Sequence, residues 1–223
     1  MSKGIYEKEN FSGSYQLENF CNDYTLNIFT DGSFYVDRGS YAMLAVNKYT
    51  ILDSFCRVGE IGDTINSCEL KGIIKALSIA HRYMTLYPCI NIFSDSLYSI
   101  NGIRTNFIAK QKLVMKRSTP NIELFVHIHY LLDEIDSYPG CTVTILHQNA
   151  HVEEKNDRSI YKVVNNFKNI NKVTAQVSQE FIKYISMYNR MVDEMAKSYL
   201  KLNKDNEETK MPLRFIDRDN LTN

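Results

Sequence analysis

The sequence predicts an α/β fold: a five-stranded mixed sheet, three strands antiparallel and two further strands parallel, flanked by helices. Three observations carry this. Strand-like segments follow one another from Tyr24 to Val58 with only short connections between them. Two later strand-like runs, Cys89–Phe93 and Cys141–His147, each follow a helical stretch, as parallel crossovers require. A last helical stripe, Ser178 to Leu202, is apolar enough along one face to cover a sheet.

Each element follows from its own pattern. Leu26, Ile28 and Thr30 alternate with Thr25, Asn27 and Phe29 in the first strand. The second strand is expected from Phe34 to Val46, a hairpin turn at Asn47-Lys48, and the third strand from Tyr49 to Val58. A glycine-containing loop, 59–64, leads into a helix from about Ile65 to Met84, whose inward stripe is Glu69, Ile73, Ala76, Leu77 and Ala80. The fourth strand ends at Ser94-Asp95-Ser96, where a serine can also cap the short helix that runs to Ile103. Thr119-Pro120 is expected to open the next helix, because proline suits a first helical position. Its expected inner face is Ile122, Phe125, Val126, His129, Leu132 and Ile135. Tyr138-Pro-Gly140 stops it, and the fifth strand follows. In domain terms, 1–23 reads as a polar leader, 24–203 as one domain carrying an insertion at 152–180, and 204–223 as a polar tail.

Composition narrows the function classes. The 223 residues carry 26 basic and 26 acidic side chains, so no global charge draws the chain to nucleic acid. No apolar run reaches the roughly 20 residues of a membrane span, and the first residues lack a secretion signal's apolar core. A cytoplasmic or nuclear location with no membrane partner is the expectation. The 5 cysteines are scattered with no CxxC pair, which speaks against a disulfide framework or structural zinc. Charge is informative locally: Arg104, Lys110, Lys112, Lys116 and Arg117 form an acid-free stretch suited to phosphate contacts.

Four carboxylates stand out because each is embedded in apolar sequence: Asp31, Glu69, Asp95 and Asp193. A carboxylate so placed costs several kcal/mol, roughly, unless it is paired or bound to metal. No matching set of buried bases is visible in the sequence. A divalent metal site is the economical answer.

The segments Thr30-Asp-Gly-Ser33, Asn66-x-x-Glu69-Leu, Ile92-Phe-Ser-Asp-Ser96 and Asn189-x-x-x-Asp193-Glu-x-Ala196 resemble the four metal-binding motifs of type 1 ribonuclease H, in order, from Tyr24 to about Leu202. Asn121-x-Glu-Leu-Phe125 resembles a helix start of the same family, and the 104–117 stretch sits where members carry a basic protrusion. The resemblance implies a ribonuclease H-like fold and an endonuclease that hydrolyses the RNA strand of an RNA–DNA hybrid. It implies two Mg²⁺ ions, with Mn²⁺ as substitute, held by Asp31, Glu69, Asp95 and Asp193, with Asp31 bridging them. It further implies substrate contacts at Gly32, Ser33, Asn66, Ser96 and Asn189 together with Arg104, Lys110, Lys112, Lys116 and Arg117; a monomer is expected over an oligomer, with the oligomeric state left open by the sequence. A mobile catalytic histidine is implied at His151, with His147 as the other choice.

The chain departs from the family in two places. Positions 152 to 188 separate His151 from Asn189, where only a few residues are usual. Positions that touch RNA 2′-hydroxyls in the family hold Phe34, Ile65 and Leu97, whose side chains form no hydrogen bond. Two other functions stay open from sequence: a nuclease of the same fold acting on structured DNA, and a non-catalytic nucleic-acid-binding module. Proofreading exonucleases of related fold carry Asp-x-Glu on the first strand, whereas this chain has Asp31-Gly-Ser33.

Overall fold

Residues 14–105, 120–149 and 157–202 are described by the structure, a computed structural model of the chain. The elements are α1 (Leu17–Phe20), β1 (Thr25–Tyr35), β2 (Arg38–Asn47), β3 (Thr50–Val58), α2 (Ile65–Tyr83), β4 (Cys89–Ser94), α3 (Leu97–Arg104), α4 (Ile122–Asp136), β5 (Thr142–His147), α5 (Asp157–Asn171) and α6 (Gln179–Leu202). They form one five-stranded sheet in the order β3-β2-β1-β4-β5. β1, β2 and β3 pair antiparallel, while β4 joins β1 and β5 joins β4 in parallel. The mixed sheet is therefore the one expected.

Strand alternation divides the core in two. Leu26 and Ile28 of β1 point to the face covered by α2 and α4, where they meet Leu70, Ile73, Leu77, Phe125 and Ile128. Phe29 points to the other face, with Phe93, Leu146 and the α6 residues Phe181, Ile185, Tyr188 and Val192. Phe29 stacks between Phe93 and Tyr188, with ring centroids 5.0 and 5.1 Å away. Asp31, two residues beyond Phe29, inherits the α6 face. Gly32 of β1 faces α2 and Gly72 of α2 faces the sheet, which lets the helix approach closely: a Cβ on Gly32 would lie 2.8 Å from the Glu69 backbone nitrogen.

Several boundaries differ from expectation. β1 runs straight through Asp31-Gly-Ser33 to Tyr35, and the hairpin turns at Val36-Asp37. The turn is set by Val36, whose φ of 60° is a conformation that β-branched residues rarely adopt, so residue type does not betray it. The next turn falls at Lys48-Tyr49, with Lys48 at φ 53°. α4 begins after Pro120, with Asn121 in the left-handed region at its start. Its buried stripe is Phe125, Ile128, Leu131, Leu132 and Ile135, and Val126 is exposed.

The leader and insertion are corrected more substantially. Tyr15 and Phe20 are core residues, so residues 14–20 belong to the domain. The Tyr15 N–H donates to the Gln176 carbonyl at 2.7 Å, and the Ser178 N–H donates to the Tyr15 carbonyl at 3.0 Å. The 152–180 insertion holds a helix, α5, whose Phe167 packs edge-on against Tyr15 and Phe181 at 5.5 Å. Asn165, Asn166 and Asn169 face outward and hide the apolar anchors in the sequence. Residues 1–13 and the tail 204–223 lie outside the described residues. Among the described residues no helix is long and apolar enough to cross a membrane.

Candidate metal centre

Three elements deliver acids to the carboxyl ends of the parallel strands β1 and β4. Asp31 comes from β1 and is 4% exposed; Glu69, from the second turn of α2, is 6% exposed. Asp95 follows the last residue of β4. One carboxylate oxygen from each of the three lies within 4.8 Å of the other two. Asp193, midway along α6, faces the same cluster, close enough for its charge to act on Asp31 and Glu69. The four sequence-predicted acids thus meet in space, although nothing but chain folding relates positions 31 and 193.

Their electrostatics are those of a site lacking positive charge. Burial pushes the Asp31 carboxyl up to about 10, and the charges of Glu69, Asp95 and Asp193 push the same way. Burial, followed by the charge of Asp95, raises Glu69 well above the usual carboxylate range, while the Gly32 N–H that donates to it opposes the rise. One positive charge approaches: the Lys197 ammonium lies 2.7 Å from Asp193 Oδ2, one helical turn on. Asp31 Oδ2 and Glu69 Oε2 are buried and meet no hydrogen-bond donor among the described residues. Buried lone pairs without donors on clustered, all-oxygen ligands fit a hard divalent cation such as Mg²⁺ or Mn²⁺.

A hydrogen-bonded shell surrounds Asp95. Asn189, one turn before Asp193 on α6, donates from Nδ2 to Asp95 Oδ2 at 3.5 Å. Gln148, buried just past β5, donates to Asn189 Oδ1. His147 Nε2 donates to the Asp95 carbonyl at 3.1 Å, which fixes the proton on Nε2. Burial holds the His147 ring down to about 4, so it is neutral at neutral pH. His147 is held at the end of β5 by its backbone N–H bond to Asn171 and its ring bond to Asp95. His151 lies outside the described residues, as do Lys110, Lys112, Lys116 and Arg117.

Gly32 and the buried Ser33 continue β1 beside Asp31. Asn66 is half-buried in the first turn of α2. Ser96 caps α3, its hydroxyl accepting the Ser99 N–H at 3.3 Å. Arg104 corrects an expectation. Its guanidinium does not stand on a solvated basic face; it donates to the Ile170 carbonyl at 2.7 Å and to Asn171 Oδ1 at 2.6 Å. Sequence reasoning did not single out Gln148, Asn171 or Lys197. Lys197 had a signal, the i, i+4 spacing from Asp193; Asn171, in an asparagine-rich run, had none.

The sequence model of the RNase H family matches residues 23–201. Ribonuclease H of Haemophilus influenzae (strain 86-028NP) is 35% identical over 79 residues, which make up 35% of this chain and 48% of that protein. The match thus spans about half the length of that relative. Among solved structures, the prototype foamy virus protease–reverse transcriptase is similar with a TM-score of 0.56 at 15% identity, over 86% of this chain and 22% of that one. The foamy viral protease–reverse transcriptase in complex with an RNA/DNA hybrid gives 0.51 at 13% identity, over 79% and 20%. At such identities the likeness concerns the fold. The family match covers most of the chain and contains all four acids: this protein belongs to the RNase H family.

Proposed function

We propose that the protein is a metal-dependent endonuclease that hydrolyses the RNA strand of RNA–DNA hybrids. The observation that carries the reading is the convergence of Asp31, Glu69 and Asp95 within 4.8 Å, with the charge of Asp193 acting on the same group. Family membership supports it, and a relative of the same fold has been solved with an RNA/DNA hybrid.

Two bound Mg²⁺ ions would supply Lewis acidity, activating a water and stabilising the leaving oxygen. The residues of this chain do the rest. Asp31 lies among the other acids and would hold the cations together with them. Glu69 is held by the Gly32 N–H and Asp95 by Asn189, so neither needs to reorganise when a cation arrives. Asp193 carries Lys197, which is half-exposed and free to swing away. The basic residues Lys110, Lys112, Lys116 and Arg117 would hold backbone phosphates.

A second reading concerns selectivity. Phe34, Ile65 and Leu97 are 40%, 42% and 44% exposed. Ile65 lies one turn before Glu69 and Leu97 two residues after Asp95, so these exposed apolar side chains would form a rim near two of the acids. Such a rim contacts sugar and base faces and rewards a 2′-hydroxyl little. This favours activity extending to other structured nucleic acids. The test is cleavage of a labelled hybrid with and without Mg²⁺, beside single-stranded RNA, duplex DNA and a four-way junction. Mg²⁺-dependent cutting of the RNA strand is expected. No cutting of any substrate with either Mg²⁺ or Mn²⁺ would refute the enzyme reading.

A further inference from the structure

The insertion helix ends against the acid site in a specific way. β5 is an edge strand, so the backbone groups of its last residues have no neighbouring strand on one side. Asn171, the last residue of α5, supplies what a strand would. Its Oδ1 accepts the His147 N–H at 2.8 Å, and its Nδ2 donates to the His147 carbonyl at 2.7 Å. The same Nδ2 donates to the Phe167 carbonyl at 3.0 Å, which locks the amide to its own helix. Arg104 closes the arrangement from α3: one guanidinium nitrogen donates to the Ile170 carbonyl, and the other to Asn171 Oδ1 and to the Ile145 carbonyl at 3.4 Å.

The strand end held in this way is the one that reaches Asp95. His147 bonds the Asp95 carbonyl at 3.1 Å. Gln148, the next residue, bonds Asn189, which in turn reaches the Asp95 carboxylate at 3.5 Å. Asp95 is therefore gripped at its backbone and its side chain by two consecutive residues of one strand end. That end is in turn gripped by α5. Asp95 itself lies between the end of β4 and the cap of α3, where no regular element fixes it.

We infer that the insertion helix is a brace for the acid site, and that Asn171, with Arg104 behind it and Gln148 ahead of it, is a positioning residue that sets Asp95 for cation binding. This rests on the reading of the four acids as a divalent-metal site. Asn171 touches none of the acids; it acts through His147 and Gln148. Hydrogen-bond partners behind a metal ligand typically govern about 10- to 100-fold in affinity. The inference also gives the polar insertion a role beside the site. Its buried side holds one aromatic anchor, Phe167, and its end carries the asparagine.

The test is calorimetric titration of Mg²⁺ and Mn²⁺ into the full-length protein and three variants, with hybrid cleavage measured alongside. Asn171→Ala and Gln148→Leu are expected to weaken ion binding about 10-fold and to lower kcat while leaving KM for the hybrid unchanged. Asn169→Ala, on the exposed side of the same helix, is expected to match the wild type. Gln148→Leu leaves the docking of α5 intact, so it carries the test if Asn171→Ala does not fold. Wild-type ion affinity and kcat in a folded Asn171→Ala, or in Gln148→Leu where Asn171→Ala does not fold, would overturn the brace. Absence of ion binding by the wild type would instead overturn the metal-site reading beneath it.

Discussion

Removing one acid should make the metal-free protein more stable, and Asp31→Asn is the sharpest case. The Asp31 carboxylate lies within 4.8 Å of ligand oxygens of both Glu69 and Asp95. At an effective dielectric of 20, each such pair of full charges repels by about 3.5 kcal/mol. The fold relieves this by keeping a proton on Asp31, whose carboxyl is raised to about 10. The sign follows from proton binding. A carboxyl raised in the folded state favours folding fully below the unfolded value of about 3.9 and loses that contribution as pH climbs toward the folded value. Each pH unit in that window costs the wild type about 1.4 kcal/mol, or about 3 kcal/mol between pH 4 and pH 6. Asparagine has the shape of the protonated acid and carries no such cost. For a chain of this size about 3 kcal/mol is about 6–12 °C in melting temperature. The assay is thermal unfolding in EDTA from pH 4 to pH 8. The variant's advantage should grow with pH, while cleavage of the hybrid is abolished. A melting temperature below the wild type's across this range would refute the reasoning and make Asp31 a structural residue.

Other consequences are simpler to state. Gly32→Ala places a Cβ 2.8 Å from the Glu69 backbone nitrogen; it should cost about 1–3 kcal/mol of stability in chemical denaturation and weaken Mg²⁺ binding because α2 must move. Arg104 is bound to α5, which leaves Lys110, Lys112, Lys116 and Arg117 for phosphates. Hybrid binding by an Asp95→Asn variant should then fall with salt along a log–log slope no steeper than about −3.6, measured by fluorescence anisotropy. Burial pushes the thiols of Cys56 and Cys68 up to about 12. Both should resist iodoacetamide at pH 7.5 in the native protein and react after unfolding, as mass spectrometry would record.

Much of this fold is legible in the sequence because burial periodicity is strong where the sheet is covered. The α2 stripe with Glu69 and the apolar stripe of α6 follow from helical spacing. The four acids are legible because charge inside apolar sequence is costly and demands a reason. Other features depend on contacts that no local pattern encodes. The β1–β2 turn rests on a valine in a left-handed conformation, which residue preference argues against. The docking of residues 14–20 depends on two aromatics, Tyr15 and Phe20, isolated in polar sequence. The brace is the least legible part. Asn171 matters because its amide meets an edge strand far away in the chain, and Arg104 reads as a surface cation until α5 is placed beside it.

The central claim is that four carboxylates share divalent cations. Electron paramagnetic resonance of Mn²⁺ titrated into the protein tests it most directly, with a non-hydrolysable hybrid analogue present. The account predicts two bound Mn²⁺ per chain with the spin–spin coupling of a close pair, reduced to one or none in Asp31→Asn. A wild-type protein that leaves all Mn²⁺ free, or a variant that binds as many ions as the wild type, would contradict it.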